Sequence, residues 1–102
     1  MIALTQKLLA QAEGPVLIDF YADWCSPCRA IAPILKKIER DYEATVTFGK
    51  VDIDKEPKLA EKFKVRSIPT LILLQRDEVV GRIVGVGSSP EKDVRALLKK
   101  VA

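Results

Sequence analysis

The chain has 102 residues, room for one domain but hardly two, and its 48% hydrophobic and 30% charged content suits a folded core rather than a disordered segment. The net charge of +3 is mild and its basic residues are spread along the chain, which leaves no dense basic patch for nucleic acid. No run approaches the roughly 18 apolar residues of a membrane span, and Ile2 to Leu9 is interrupted by Thr5, Gln6 and Lys7 with no basic leader, unlike a secretory signal. The expectation is a single cytoplasmic domain, residues 1–102, acting as a monomer without nucleic-acid or membrane partners.

In chain order, Leu4, Leu8 and Leu9 share a helical face that Glu13-Gly14-Pro15 ends. Val16 to Tyr21 is an almost continuous apolar run of strand length, the pattern of a strand covered on both faces. A helix is expected from about Cys25 to Tyr42, with Ile31, Ile34, Leu35 and Ile38 as its buried stripe and Pro33 as a kink. Thr45 to Ile53 is the next strand, followed by a short helix over Glu56 to Phe63 with Pro57 in its first turn.

Ile68-Pro69-Thr70 leads into the apolar strand Leu71 to Leu74. A last strand follows from Val79 to Val86, joined through Arg76-Asp77-Glu78, a hairpin-length link without the usual turn glycine. Ser88 and Glu91 have capping-box spacing at the start of a final helix that turns Val94, Leu97, Leu98 and Val101 inward. Alternating strands and helices, closed by a strand pair and a helix, describe an α/β fold: a mixed sheet covered by helices on both faces.

Chemistry concentrates in Asp19-Phe20-Tyr21-Ala22-Asp23-Trp24-Cys25-Ser26-Pro27-Cys28, which leaves the first apolar strand and enters the long helix. Cys25 falls at the helix N-terminus, where free N–H groups and the helix dipole favour a thiolate. Cys28 lies one turn further on. Cys25 is thus the expected nucleophile toward a substrate disulfide and Cys28 the thiol that resolves the mixed disulfide. Pro27 restricts the backbone between them.

A structural disulfide would close too small a loop to constrain the unfolded chain much. Zinc wants about four nitrogen or sulfur ligands, and the chain has two cysteines and no histidine. Two unrelated buried cysteines would leave Trp24, Pro27 and the strand-to-helix position unexplained. No cofactor is implied, because the electrons reside on the two sulfurs. Asp19, within an apolar run, is costly to bury unless paired or protonated, and burial should raise its pKa.

The chain resembles the thioredoxin family along nearly its whole length. The matching stretches are Asp19-Phe20-Tyr21-Ala22, Trp24-Cys25-Ser26-Pro27-Cys28, Ala32-Pro33, Lys50-Val51-Asp52-Ile53-Asp54, Val65-Arg66-Ser67-Ile68-Pro69-Thr70 and Val84-Gly85. The resemblance implies the thioredoxin fold, reduction of disulfides in protein substrates, and re-reduction by a thioredoxin reductase. It makes Ile68-Pro69 a cis-proline loop beside the sulfurs and assigns Trp24, Pro27, Ile68, Pro69 and Gly85 to a shallow apolar substrate surface. It also supplies Lys50 as the partner of Asp19 behind Cys28, where Asp19 would take or return the Cys28 proton through water.

Two departures stand out. Ser26 occupies the place where the family most often has glycine, and residues between the cysteines influence which redox form is stable. The short N-terminal segment trims the family's first edge strand to Met1–Leu4 or removes it. The competing readings are a redox carrier dedicated to one partner and a non-catalytic binding module built on the same fold.

Overall fold

The structure, a computed structural model, describes residues 1–101. Its elements run β1 (Ile2–Ala3), α1 (Gln6–Gln11), β2 (Val16–Tyr21), α2 (Ser26–Tyr42), β3 (Thr47–Asp52), α3 (Pro57–Lys62), β4 (Thr70–Gln75), β5 (Glu78–Val84) and α4 (Pro90–Leu98). The five strands form one sheet in the order β1-β3-β2-β4-β5. β2 pairs parallel with β3 and antiparallel with β4, so the sheet is mixed and β2 has a neighbour on each side.

Side chains alternate along a strand, and that alternation divides the core in two. Leu17 of β2 and Leu71 and Leu73 of β4 pack with Ile31, Leu35 and Ile38 of α2 and Val94, Leu97 and Leu98 of α4. Val16, Ile18 and Phe20 point the other way with Ile72 and Leu74, and meet Leu59 of α3 and half-buried Leu9 of α1. Helices therefore cover both faces. Both faces of β2 are sealed, which is why its sequence is apolar without alternation. Each fully buried Leu, Ile or Phe here contributes about 1.5–3 kcal/mol relative to exposure.

The N-terminal strand is trimmed to two residues, pairing with Gly49 and Lys50 of β3. Leu4 does not join the face of α1. It lies before that helix, which Thr5 caps through its side-chain oxygen, and it is buried, whereas Leu8 is exposed. A side chain at Gly49 would collide with Leu4, so the bare backbone of Gly49 gives that leucine its seat. Pro33 stands inside α2 without ending it.

The expected capping box at α4 does not form. Ser89 is the N-cap residue, and neither it nor Ser88 makes a side-chain capping bond. Glu91 accepts instead from Lys37 Nζ and Arg95 Nε, each at 3.1 Å, and Arg95 also reaches Asp41 at 2.9 Å. Lys37 of α2 and Arg95 of α4 itself outcompete the cap for the Glu91 carboxylate. The β4–β5 link is a two-residue turn in which Arg76 (φ 54°) and Asp77 (φ 65°) are both left-handed. That is the backbone of a tight hairpin turn, adopted here without glycine.

Candidate active site

β2 ends at Tyr21, and the chain turns through Ala22-Asp23-Trp24 before α2 begins at Ser26. Cys25 is the N-cap of α2. Its Sγ accepts the backbone N–H of Cys28 at 3.2 Å, a hydrogen bond that satisfies one of the free donors of the first turn. Pro27, in that first turn, has no N–H to leave unsatisfied. The Cα atoms of Cys25 and Cys28 are 5.3 Å apart and their sulfurs form a disulfide. Both cysteines are nearly covered, at 5% and 4% exposure, and pack with Ala22, Tyr21, Ile53 and Ile68.

The Ile68–Pro69 peptide is cis. Ile68 reaches the cysteine pair, and the Pro69 carbonyl accepts the Gly85 N–H at 2.8 Å. Gly85 has φ +79°, a left-handed conformation that suits glycine. The turn after β5 is thereby fastened to the proline loop. Around it the surface is apolar and open: Trp24 is 67% exposed, and Val84 and Val86 are exposed as well. Trp24 is not a core residue. Its indole Nε1 donates to Asp54 Oδ2 at 2.9 Å, and Asp54 is in turn placed by its own N–H donating to Asp52 Oδ1 at 2.9 Å.

On the other side of the pair, Cys28 lines a cavity of about 680 Å³ together with Asp19, Tyr21 and Lys50. Asp19 is buried and its Oδ1 has no hydrogen-bond partner. Burial pushes its carboxyl up to about 6, with the Lys50 charge pulling it partly back. Asp19 and Lys50 stand opposite each other in the β2–β3 register. They do not form a contact ion pair: the Lys50 ammonium lies over the Tyr21 ring, 5.6 Å from its centroid.

Ile68 packs on the cysteine pair and leads into Pro69, which is fastened to Gly85, whereas Asp19 and Lys50 line the cavity behind Cys28. Pro27 lies between the two cysteines, and Trp24, directly before Cys25, is exposed and bonded to Asp54. The sequence gives Tyr21, Asp54 and Val84 no role of their own, although they fall in matching stretches, and offers no signal for Val86. The spacing Asp52-x-Asp54 could have suggested a side-chain turn, but the bond from Trp24 to Asp54 spans thirty residues and leaves no local mark.

The Thioredoxin family profile matches residues 4–100, spanning the cysteine pair, the proline loop and every element from α1 to α4. The chain belongs to the thioredoxin family. It is 41% identical over 80 residues to the thioredoxin of Buchnera aphidicola, covering 78% of this chain and 73% of that one. It is 40% identical over 88 residues to the thioredoxin of Staphylococcus saprophyticus, covering 86% and 83% respectively. A bifunctional thioredoxin reductase/thioredoxin of Mycobacterium leprae matches at 48% over 74 residues, 72% of this chain but 16% of that longer protein.

Family and cysteine pair together define the activity: the chain is a dithiol/disulfide oxidoreductase. Among the described residues no group of His, Cys, Asp and Glu is arranged to hold a metal, and no helix is long and apolar enough to cross a membrane.

Proposed function

We propose that the chain reduces disulfides in protein substrates, with Cys25 as nucleophile and Cys28 as resolving thiol. The observation that carries these roles is the position of Cys25 at the α2 N-cap, its sulfur accepting the Cys28 N–H. In the dithiol form the Cys25 thiolate attacks one sulfur of the substrate disulfide. A mixed disulfide forms and the first substrate thiolate leaves. Cys28 gives its proton through water to Asp19, which shares the cavity with it, and the Cys28 thiolate attacks Cys25 Sγ. The second substrate thiolate departs and takes up a proton. Two electrons have passed to the substrate, and the chain is left with the Cys25–Cys28 disulfide seen here.

Asp19 suits the proton step because its affinity lies near neutrality and Oδ1 has a free lone pair. On the open side, Trp24, Pro27, Ile68, Pro69 and Gly85 form the apolar seat for the substrate segment. Val84 and Val86 extend that seat. Electrons return from a thioredoxin reductase. The Mycobacterium leprae relative, whose name joins both activities, supports that pairing. We place the chain in the cytoplasm as a single monomeric redox domain carrying electrons between that reductase and protein disulfides.

Cys28→Ser tests the division of labour. Incubated with a disulfide-bearing protein, this variant accumulates a Cys25-linked mixed disulfide that dithiothreitol releases. Cys25→Ser traps nothing. Trapping by Cys25→Ser instead would reverse the two roles.

A further inference from the structure

Asp19, Tyr21 and Lys50 project from the same face of the sheet. Asp19 and Tyr21 are two apart on β2, and Lys50 sits opposite Asp19 on the neighbouring strand. Asp19 and Lys50 are Cα partners in the parallel β2–β3 register, so the register offers Lys50 a contact ion pair with Asp19. Lys50 takes the diagonal instead, with its ammonium 5.6 Å from the Tyr21 centroid, within range of a cation–π attraction. The Asp19 Oδ1 is left without any partner. We propose that Tyr21 is a positioning residue: its ring holds the Lys50 ammonium out of a contact ion pair with Asp19, and so sets the proton affinity of the carboxyl behind Cys28.

The surrounding charges support this placement. Burial first, and then the charges of Asp52, Asp23 and Asp19, push the Tyr21 hydroxyl pKa upward. The ring therefore stays neutral within a negative field that draws a cation toward it. From α2, Arg29 and Lys36 face the same cavity. Arg29 is engaged elsewhere, donating to the Asp23 carbonyl at 2.6 Å and to Ser26 Oγ at 3.0 Å. The Met1 ammonium, also at the cavity, is paired with Glu39 at 3.0 Å. Lys50 is thus the cation that stands opposite Asp19 in the strand register, and Tyr21 holds it.

The importance of this device for turnover rests on Asp19 being the proton acceptor for Cys28, whereas the device itself is read without turnover. The Asp19 carboxyl is titrated by NMR in the oxidised protein and in Tyr21→Phe, Tyr21→Leu, Lys50→Met and Tyr21→Leu/Lys50→Met. Tyr21→Leu releases Lys50 to Asp19, and the Asp19 pKa falls by about 0.5 unit, the equivalent of a modest cation–π contact. Tyr21→Phe keeps an aromatic face and holds the parent value. Lys50→Met raises the pKa, and adding Tyr21→Leu to it produces no further change.

An Asp19 pKa unmoved by Tyr21→Leu overturns the proposal. So does an equal fall in the Lys50→Met background, which would show that the ring merely keeps water out. The activity of Asp19→Asn is a separate measurement, so failure of the proton-acceptor role and failure of the positioning role are told apart.

Discussion

The indole N–H of Trp24 donates to the carboxylate of Asp54 at 2.9 Å, tying the residue before Cys25 to the turn that follows β3. The bond holds a large aromatic side chain that is 67% exposed. Asp54→Ala frees that side chain. A typical hydrogen bond contributes about 0.5–1.5 kcal/mol net, so kcat/KM for a protein disulfide should fall about two- to tenfold. Global stability should fall by no more than about 1.5 kcal/mol, the contribution of that one bond. Trp24 is the sole tryptophan, so its fluorescence reports the release directly. Asp54→Asn keeps an acceptor and should recover most of the activity.

The buried Asp19 makes a prediction about stability and pH. Its pKa is about 6 in the folded protein against an ordinary 3.8, so between those values the folded chain binds more protons than the unfolded one. The contribution of this group is therefore most favourable at low pH and is lost as pH rises through about 6. A shift of about two units corresponds to roughly 3 kcal/mol. Urea unfolding of the oxidised protein should show Asp19→Asn gaining roughly 2–3 kcal/mol on the parent between pH 4 and pH 7, with no further gain above it. A difference that is flat with pH contradicts the buried, proton-binding carboxyl.

Much of this was legible in the sequence because the signals were local. Val16 to Tyr21 announces a two-sided strand by its continuous apolarity, and Ile31, Leu35 and Ile38 give the buried stripe of α2 by their spacing. Cys25 at the strand-to-helix junction places the redox pair. Contacts between distant segments were not legible. Glu91 has the spacing of a capping box, yet Lys37 and Arg95 take its carboxylate. Leu4 has the period of α1, yet Gly49 gives it a seat on β3. Lys50 was assigned to Asp19 by resemblance, and the register does oppose them, but the Tyr21 ring that captures the ammonium lies on the diagonal.

The β4–β5 turn offers a stabilising substitution. Arg76 and Asp77 both adopt left-handed backbone, at φ 54° and 65°, which costs residues with a side chain about 1–2 kcal/mol each, less for Asp. Asn-Gly is the dipeptide best suited to that turn. The double substitution Arg76→Asn/Asp77→Gly should raise stability by about 1 kcal/mol, since the greater freedom of glycine in the unfolded chain offsets part of the gain. The turn lies at the edge of the sheet away from the cysteines, so disulfide reduction should be unchanged. Thermal unfolding of the oxidised form, compared with an activity assay, checks both halves.

The most direct test of the central claim is the pH dependence of alkylation at each cysteine of the reduced protein, resolved by mass spectrometry after brief iodoacetamide pulses. Placement at the α2 N-cap predicts that Cys25 is modified first, with an apparent pKa below the ordinary thiol value of about 8.5, while Cys28 reacts slowly across the range. Preferential modification of Cys28, or two thiols titrating together near 8.5, would contradict Cys25 as the nucleophile.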